Sequence, residues 1–93
     1  GMAPLPQMRD GGVNVALATD GPASNSGINL LEVLRLTGLV YKNAPGTPEA
    51  LPSKDLLRPA TRAGAKTLGF PDVGVLAPGH PADLILLDVQ GPH

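Results

Sequence analysis

Cysteine and tryptophan are absent from this 93-residue chain, and its only aromatic side chains are Tyr41 and Phe70. Without cysteine there is no disulfide framework, no thiolate ligand for a metal and no thiol nucleophile. Without aromatic bulk, a core has to be assembled from Leu, Val, Ile and Ala. Charge is scarce too: 16% of residues are charged, where about 25% is usual for a soluble domain. The formal net charge of −1 gives no electrostatic case for nucleic acid or an anionic membrane as partner. No apolar run approaches the ~20 residues of a membrane-spanning helix. The first residues carry no signal-peptide pattern, so the cytoplasm is the expected setting.

Glycine (12) and proline (11) are plentiful. They punctuate apolar runs rather than forming a tract, which favours a loop-rich globular piece over disorder. A chain of this length is one domain at most, and such a domain buries little more than about 60% of its unfolded surface. With 42% hydrophobic residues, it has apolar surface left to cover.

The pattern along the chain predicts a short helix over residues 4–10, with its prolines early, where a missing N–H costs little. Gly11 and Gly12 stop it. Val13 to Ala18 alternates Val13, Val15 and Leu17 with smaller residues and reads as a strand covered on both faces. Residues 19–27, from Thr19 to Gly27, form a loop by composition. Asn29 followed by Glu32 resembles a capping box opening a helix from Leu30 to Lys42. Its apolar positions cover more than one stripe, as in a helix packed between two layers. Asn43-Ala44-Pro45-Gly46 ends it.

A proline-rich loop then runs to Pro52, and Ser53 is placed to cap a second helix. Pro59 removes a hydrogen bond and clashes with the preceding turn. That predicts a kink, or two helices with Thr61 capping the second and Gly69 closing it. The tail switches to period two: Val73 to Leu76, a turn over residues 77–81, and a strand from Ala82 to Val89. A lone strand feeding helices has no partner here with which to complete a parallel sheet. The expected fold class is α/β, and the chain reads as part of something larger.

One element carries candidate chemistry: Thr19-Asp20-Gly21 at the carboxyl end of the first predicted strand. Barrels and open α/β sheets place reactive groups in the loops at that end. Asp20 could bind a divalent metal or accept a proton from water, with Ser24 and Asn25 able to hydrogen-bond a carboxylate or a ligand. An Asp just after a strand is more often a turn-former or helix cap than a catalyst. Asp83 and Asp88 bracket a strand as turn or surface charges. Asp10, Glu49, Asp55 and Asp72 read as solvated or capping, and Glu32 as capping. His80 lies in a turn and His93 ends the chain, in no metal-binding spacing, so three protein ligands for zinc are not available here. Ser24 lacks the Gly-x-Ser-x-Gly context of a nucleophile. The glycines make no dinucleotide fingerprint.

Four stretches taken together resemble the amidohydrolase superfamily, in its branch of adenosine-type deaminases and triazine chlorohydrolases. They are Gly1-Met2-Ala3-Pro4; Val15 to Gly21 with Ser24-Asn25; Ala60-Thr61 with Gly64-Ala65 and Leu68-Gly69; and Gly79 to Leu84. Their order and spacing match the last part of that family over nearly the whole chain.

The resemblance implies the C-terminal part of a (β/α)8 metal-dependent hydrolase barrel, with its eighth strand at Val13 to Ala18. Residues 1–72 would be the last βα portion of the barrel. Residues 73–93 would be C-terminal strands of a composite β-sandwich. Asp20 matches the aspartate that lies beside zinc or another divalent metal and assists proton transfers of metal-bound hydroxide. Ser24 and Asn25 match positions near substrate.

The family's His-x-His, its later metal histidines and its catalytic glutamate have no counterpart here. Ala18 stands where glycine is common, Pro59 interrupts a usually continuous helix, and Gly1-Met2 falls inside a loop, as in a truncated chain. The resemblance therefore implies a fragment of a hydrolase acting on C–N bonds, of purine-deaminase type. Such a fragment is expected to be inactive alone, to bind no metal, and to associate with itself or with the missing N-terminal portion. The alternative is a self-associating structural module that is not an enzyme.

Overall fold

A computed structural model describes residues 1–44 and 51–91. Pro45, Gly46, Glu49 and His93 lie outside them, as does most of the proline-rich loop. Four helices follow one another: α1 (Leu5–Asp10), α2 (Leu30–Lys42), α3 (Ser53–Ala60) and α4 (Arg62–Thr67).

Proline early in α1 sits where its missing N–H is harmless. The helix closes as Gly11 and Gly12 donate to the carbonyls of Gln7 and Arg9, with Gly12 at φ +77°. The longest helix, α2, matches its predicted bounds. Asn29 Oδ1 accepts from the N–H groups of Leu31 (3.1 Å) and Glu32 (3.4 Å), satisfying two of the donors that every helix start leaves orphaned. At the other end Asn43 Nδ2 donates to the Leu39 carbonyl at 2.8 Å.

The face of α2 that meets α3 carries Leu34, Thr37, Gly38 and Tyr41, at helical i, i+3, i+4 and i+7 spacing. Leu34 and Tyr41 are buried. Leu56 of α3, also buried, fits over Gly38, where an added Cβ would stand 3.0 Å from Leu56 Cδ1. Tyr41 reaches further and donates its hydroxyl to the Ala3 carbonyl, tying the first residues to the helix. Its other face, with Leu31, Leu36, Leu39 and Val40, is exposed. The apolar pattern for two layers is present, and one layer is in place.

Two helices form, as expected, with Pro59 inside the first and the interruption at Thr61, but the caps differ from the predicted ones. Pro52 occupies the N-cap position of α3, and Thr61 makes no side-chain cap for α4. Instead, Thr61 Oγ1 donates backward to the Leu57 carbonyl at 2.7 Å. The Thr61 N–H goes to Arg58, so the Leu57 carbonyl would otherwise lose its helical partner. At the far end Gly69 (φ +84°) donates to Lys66 and Phe70 donates to Ala65, which is a Schellman closure.

Among the described residues no strand is formed, so the expected strands at Val13 to Ala18, Val73 to Leu76 and Ala82 to Val89 are corrected. A strand exists only through a ladder of bonds to a neighbour, and none of these segments has one. The period-two signature persists from Val15 onward: Val15, Leu17 and Thr19 are partly covered while Asn14, Ala16, Ala18 and Asp20 are exposed, but Val13, expected on the covered side, is exposed too. Residues 84–87 and Val89 are exposed throughout, Leu86 at 93%. The accessible surface is 7223 Å², against roughly 5,000 Å² for a compact monomer of this mass. No helix among the described residues is long and apolar enough to cross a membrane.

Candidate functional site

The segment that ends at Asp20 is held from behind by helices α3 and α4. Leu17 donates its N–H to the Pro59 carbonyl at 3.2 Å, beside the helix break. Asn14 Nδ2 donates to the Ala63 carbonyl (3.1 Å) and to Thr67 Oγ1 (2.9 Å). Thr67 Oγ1 in turn donates to Ala63 at 2.9 Å. These bonds fix the segment at two points on its way to the loop. A cleft of about 480 Å³ opens between its apolar side chains and the helices, lined by Val15, Leu17, Leu56, Arg58 and Lys66 among others. Asp20, Ser24 and Asn25 do not line it.

Beyond Leu17 the chain turns sharply. Asp20 has φ +62°, the only positive value for a non-glycine residue among those described. The left-handed region costs an L-residue on the order of 1 kcal/mol, and Asp and Asn tolerate it better than most. Here Asp20 Oδ1 accepts the Gly21 N–H at 2.7 Å, a charge-assisted bond that offsets part of that cost. Oδ2 makes no hydrogen bond among the described residues.

The loop closes on itself. Gly21 offers its carbonyl to the N–H groups of Ser24 (3.0 Å) and Asn25 (2.9 Å). Asn25 Nδ2 reaches back six residues to the Thr19 carbonyl at 2.8 Å. Asp20, Ser24 and Asn25 are thus brought onto one short, exposed loop. The Ser24 hydroxyl makes no hydrogen bond among the described residues.

Among the described residues there is no group of three or more His, Asp or Glu able to hold a metal. Asp55 faces Arg9 at 3.5 Å, joining α3 to α1. Asp88 accepts the Gln90 N–H at 2.9 Å, the local role expected of it. His80 Nδ1 lies 2.9 Å from the Asp72 carbonyl; a carbonyl only accepts, so that nitrogen carries the proton. Asp20 supplies one hard oxygen donor, and a divalent metal needs several. The described residues do not complete a metal centre.

Asn14 and Gly74 were not singled out by the sequence patterns. Asn14 left one trace, a lone amide between Val13 and Val15 in an apolar run. Gly74, at φ +88°, leaves room for the start of α4: an added Cβ would lie 2.7 Å from Arg62 Cα. Nothing short of the tertiary path reveals that approach.

Comparison with known proteins extends the picture. The sequence pattern of the amidohydrolase family matches residues 1–92. All of the chain aligns at 48% identity with a 5-methylthioadenosine/S-adenosylhomocysteine deaminase of Pelotomaculum thermopropionicum, covering 22% of that protein. A 5'-deoxyadenosine deaminase of Methanosarcina acetivorans is 44% identical over the same length, covering 21% of its sequence. The crystal structure of a triazine hydrolase variant superposes with a TM-score of 0.81 at 46% identity, over 88% of this chain and 18% of that one. The chain thus spans about a fifth of the length of these relatives. It has the fold of part of a metallo-dependent hydrolase, and it belongs to the amidohydrolase family.

Proposed function

We propose that this chain supplies the last strand-to-helix unit of a metal-dependent hydrolase acting on C–N bonds, of adenosine-deaminase type. One observation carries the reading. In a chain matched by the family over residues 1–92, Asp20 sits at the end of the period-two segment with one carboxylate oxygen unengaged among the described residues. Residues 1–72 would belong to the barrel, and residues 73–93 would join strands of a β-sandwich contributed by other parts of the enzyme. Val13 to Ala18 would become the eighth barrel strand once its neighbours are present.

In the assembled enzyme a zinc or similar divalent ion would supply an activated water near neutral pH. Asp20 would stand beside it and hold or move a proton at its free oxygen. Ser24 and Asn25, on the same loop, would border the substrate. The other metal ligands and the catalytic glutamate come from outside these 93 residues, so the chain is inactive alone.

The test is assembly. The chain is mixed with the Pelotomaculum deaminase shortened by the segment that it matches, and turnover of 5-methylthioadenosine is followed. Restored turnover that falls at least a hundredfold on Asp20→Asn supports the reading. Full turnover by the Asp20→Asn assembly would overturn the role of Asp20. Turnover by the 93-residue chain alone would overturn the claim that its site is incomplete.

A second reading, a self-associating module, is favoured by the exposed apolar run of residues 84–87 and by the uncovered face of α2. Both surfaces need a cover, and a second copy of the chain is one.

A further inference from the structure

We infer that Asn25 is a positioning residue: its side-chain amide, bound to the Thr19 carbonyl, holds Asp20 in the left-handed conformation that presents its free carboxylate oxygen. The inference rests on the reading of Asp20 as the metal-side carboxylate and gives Asn25 a role other than contact with substrate.

Three of the loop's bonds flank Asp20; beside them, Thr19 Oγ1 donates to Asp20 O at 3.2 Å and the Ser24 N–H to Gly21 O at 3.0 Å. Asn25 Nδ2 donates to Thr19 O at 2.8 Å, the residue immediately before Asp20. The Asn25 N–H donates to Gly21 O at 2.9 Å, the residue immediately after it. Asp20 Oδ1 accepts from Gly21 N–H at 2.7 Å. Asn25 therefore grips the chain on both sides of Asp20, once with its side chain and once with its backbone. The peptide flanks of Asp20 are pinned, and φ +62° is what remains.

The chemistry selects the residue type. The Thr19 carbonyl can only accept, so the group facing it must donate. Asparagine offers an N–H at the right reach. Aspartate, of the same shape, would set an oxygen against an oxygen. An amide committed to Thr19 has spent one of its donors and has less to offer a substrate. Asp20 gains a fixed direction, which matters because a reacting carboxylate has to be held to within a fraction of an ångström.

The experiment uses the ¹⁵N-labelled 93-residue chain and its variants Asn25→Ala, Asn25→Asp and Asn25→Gln. Two signals report on Asp20 itself: the strong intraresidue amide-to-Hα cross-peak that a positive φ produces, and the downfield Gly21 amide proton bonded to the carboxylate. Amides of α2 and the thermal midpoint serve as internal references. The expected result is that Asn25→Ala and Asn25→Asp weaken the Asp20 cross-peak severalfold and move the Gly21 amide upfield. The α2 amides and the midpoint stay in place. Asn25→Gln, which keeps the donor, restores part of both signals.

An Asn25→Asp chain with both Asp20 signals intact would overturn the inference, since the donor to Thr19 is gone. Loss of both signals together with the α2 amides would also overturn it, because Asn25 would then hold the fold rather than Asp20. Failure of the underlying reading shows elsewhere, as an assembled enzyme whose turnover survives Asp20→Asn.

Discussion

Gly74 lies against Arg62: a Cβ added to it would stand 2.7 Å from both the Arg62 Cα and the Arg62 amide nitrogen. Those atoms are backbone at the start of α4 and cannot step aside. Gly74 also has φ +88°, a region that L-residues adopt only with strain. Gly74→Ala is therefore expected to destabilise the chain by about 1–3 kcal/mol. The loss should be read as a lower unfolding midpoint, with faster hydrogen exchange in residues 61–64 and 73–76. Gly79→Ala is the control. It shares a positive φ of +82° but meets no atom within 4 Å, so it should cost less. Equal costs at the two positions would show that backbone strain alone acts and the close approach does not matter.

Asn14 links the candidate strand to α4 through bonds to Ala63 O and Thr67 Oγ1. Removing a hydrogen-bonding side chain costs about 1 kcal/mol for each bond lost. Asn14→Ala should lower stability by about 1–2 kcal/mol in chemical denaturation. Asn14→Asp should be worse, because a carboxylate cannot donate to the Ala63 carbonyl it faces. Amide exchange at Leu17, the other attachment point, should quicken in both variants. Unchanged exchange at Leu17 would mean that the two attachments are independent.

The parts of the fold legible in the sequence are those decided by local chemistry. The bounds of α2 follow from Asn29 at its start and Asn43 at its end, where short polar side chains satisfy backbone groups within a turn. The stop at Gly69 is similarly local, since the left-handed residue after a helix is best supplied by glycine. Thr61 was misread because capping and backward bonding use the same hydroxyl, and the carbonyl bereaved near Pro59 decided between them. The strands were misread for a different reason. Alternation at Val13 to Ala18 records which face is covered, but a ladder needs a second strand, and the described chain holds none. The site was legible as one residue, Asp20. The grip of Asn25 on Thr19 was not, since it spans six residues and depends on how the loop closes.

Metal removal offers a sharp check on the incomplete site. Structural zinc couples to folding when several ligands converge on it. Here no cluster of three ligating residues, with or without Asp20, exists among those described. Thermal unfolding of the chain should therefore be the same in excess zinc and in chelator, within the scatter of repeated melts. A midpoint that rises steadily with zinc concentration would show ligands converging in solution that the fold does not bring together.

The exposed apolar run should govern association. Ile85, Leu86, Leu87 and Val89 are 76%, 93%, 57% and 76% exposed, and on pairing as a strand Ile85, Leu87 and Val89 would share one side. A chain with 7223 Å² of surface carries about 2,000 Å² more than a compact monomer of its mass, the size of a full protein–protein interface. Burial of that kind is driven by apolar contact rather than by charge. Light scattering across a concentration series should therefore show growing mass that salt does not reverse and that ammonium sulfate strengthens. Ile85→Lys combined with Leu87→Lys places two charges on one face of the run, and should return the chain toward monomer while leaving the α2–α3 contact at Gly38 and Leu56 intact. A wild-type chain that stays monomeric at every concentration would remove self-association as a reading. The same surface would then be left to the remainder of a hydrolase barrel.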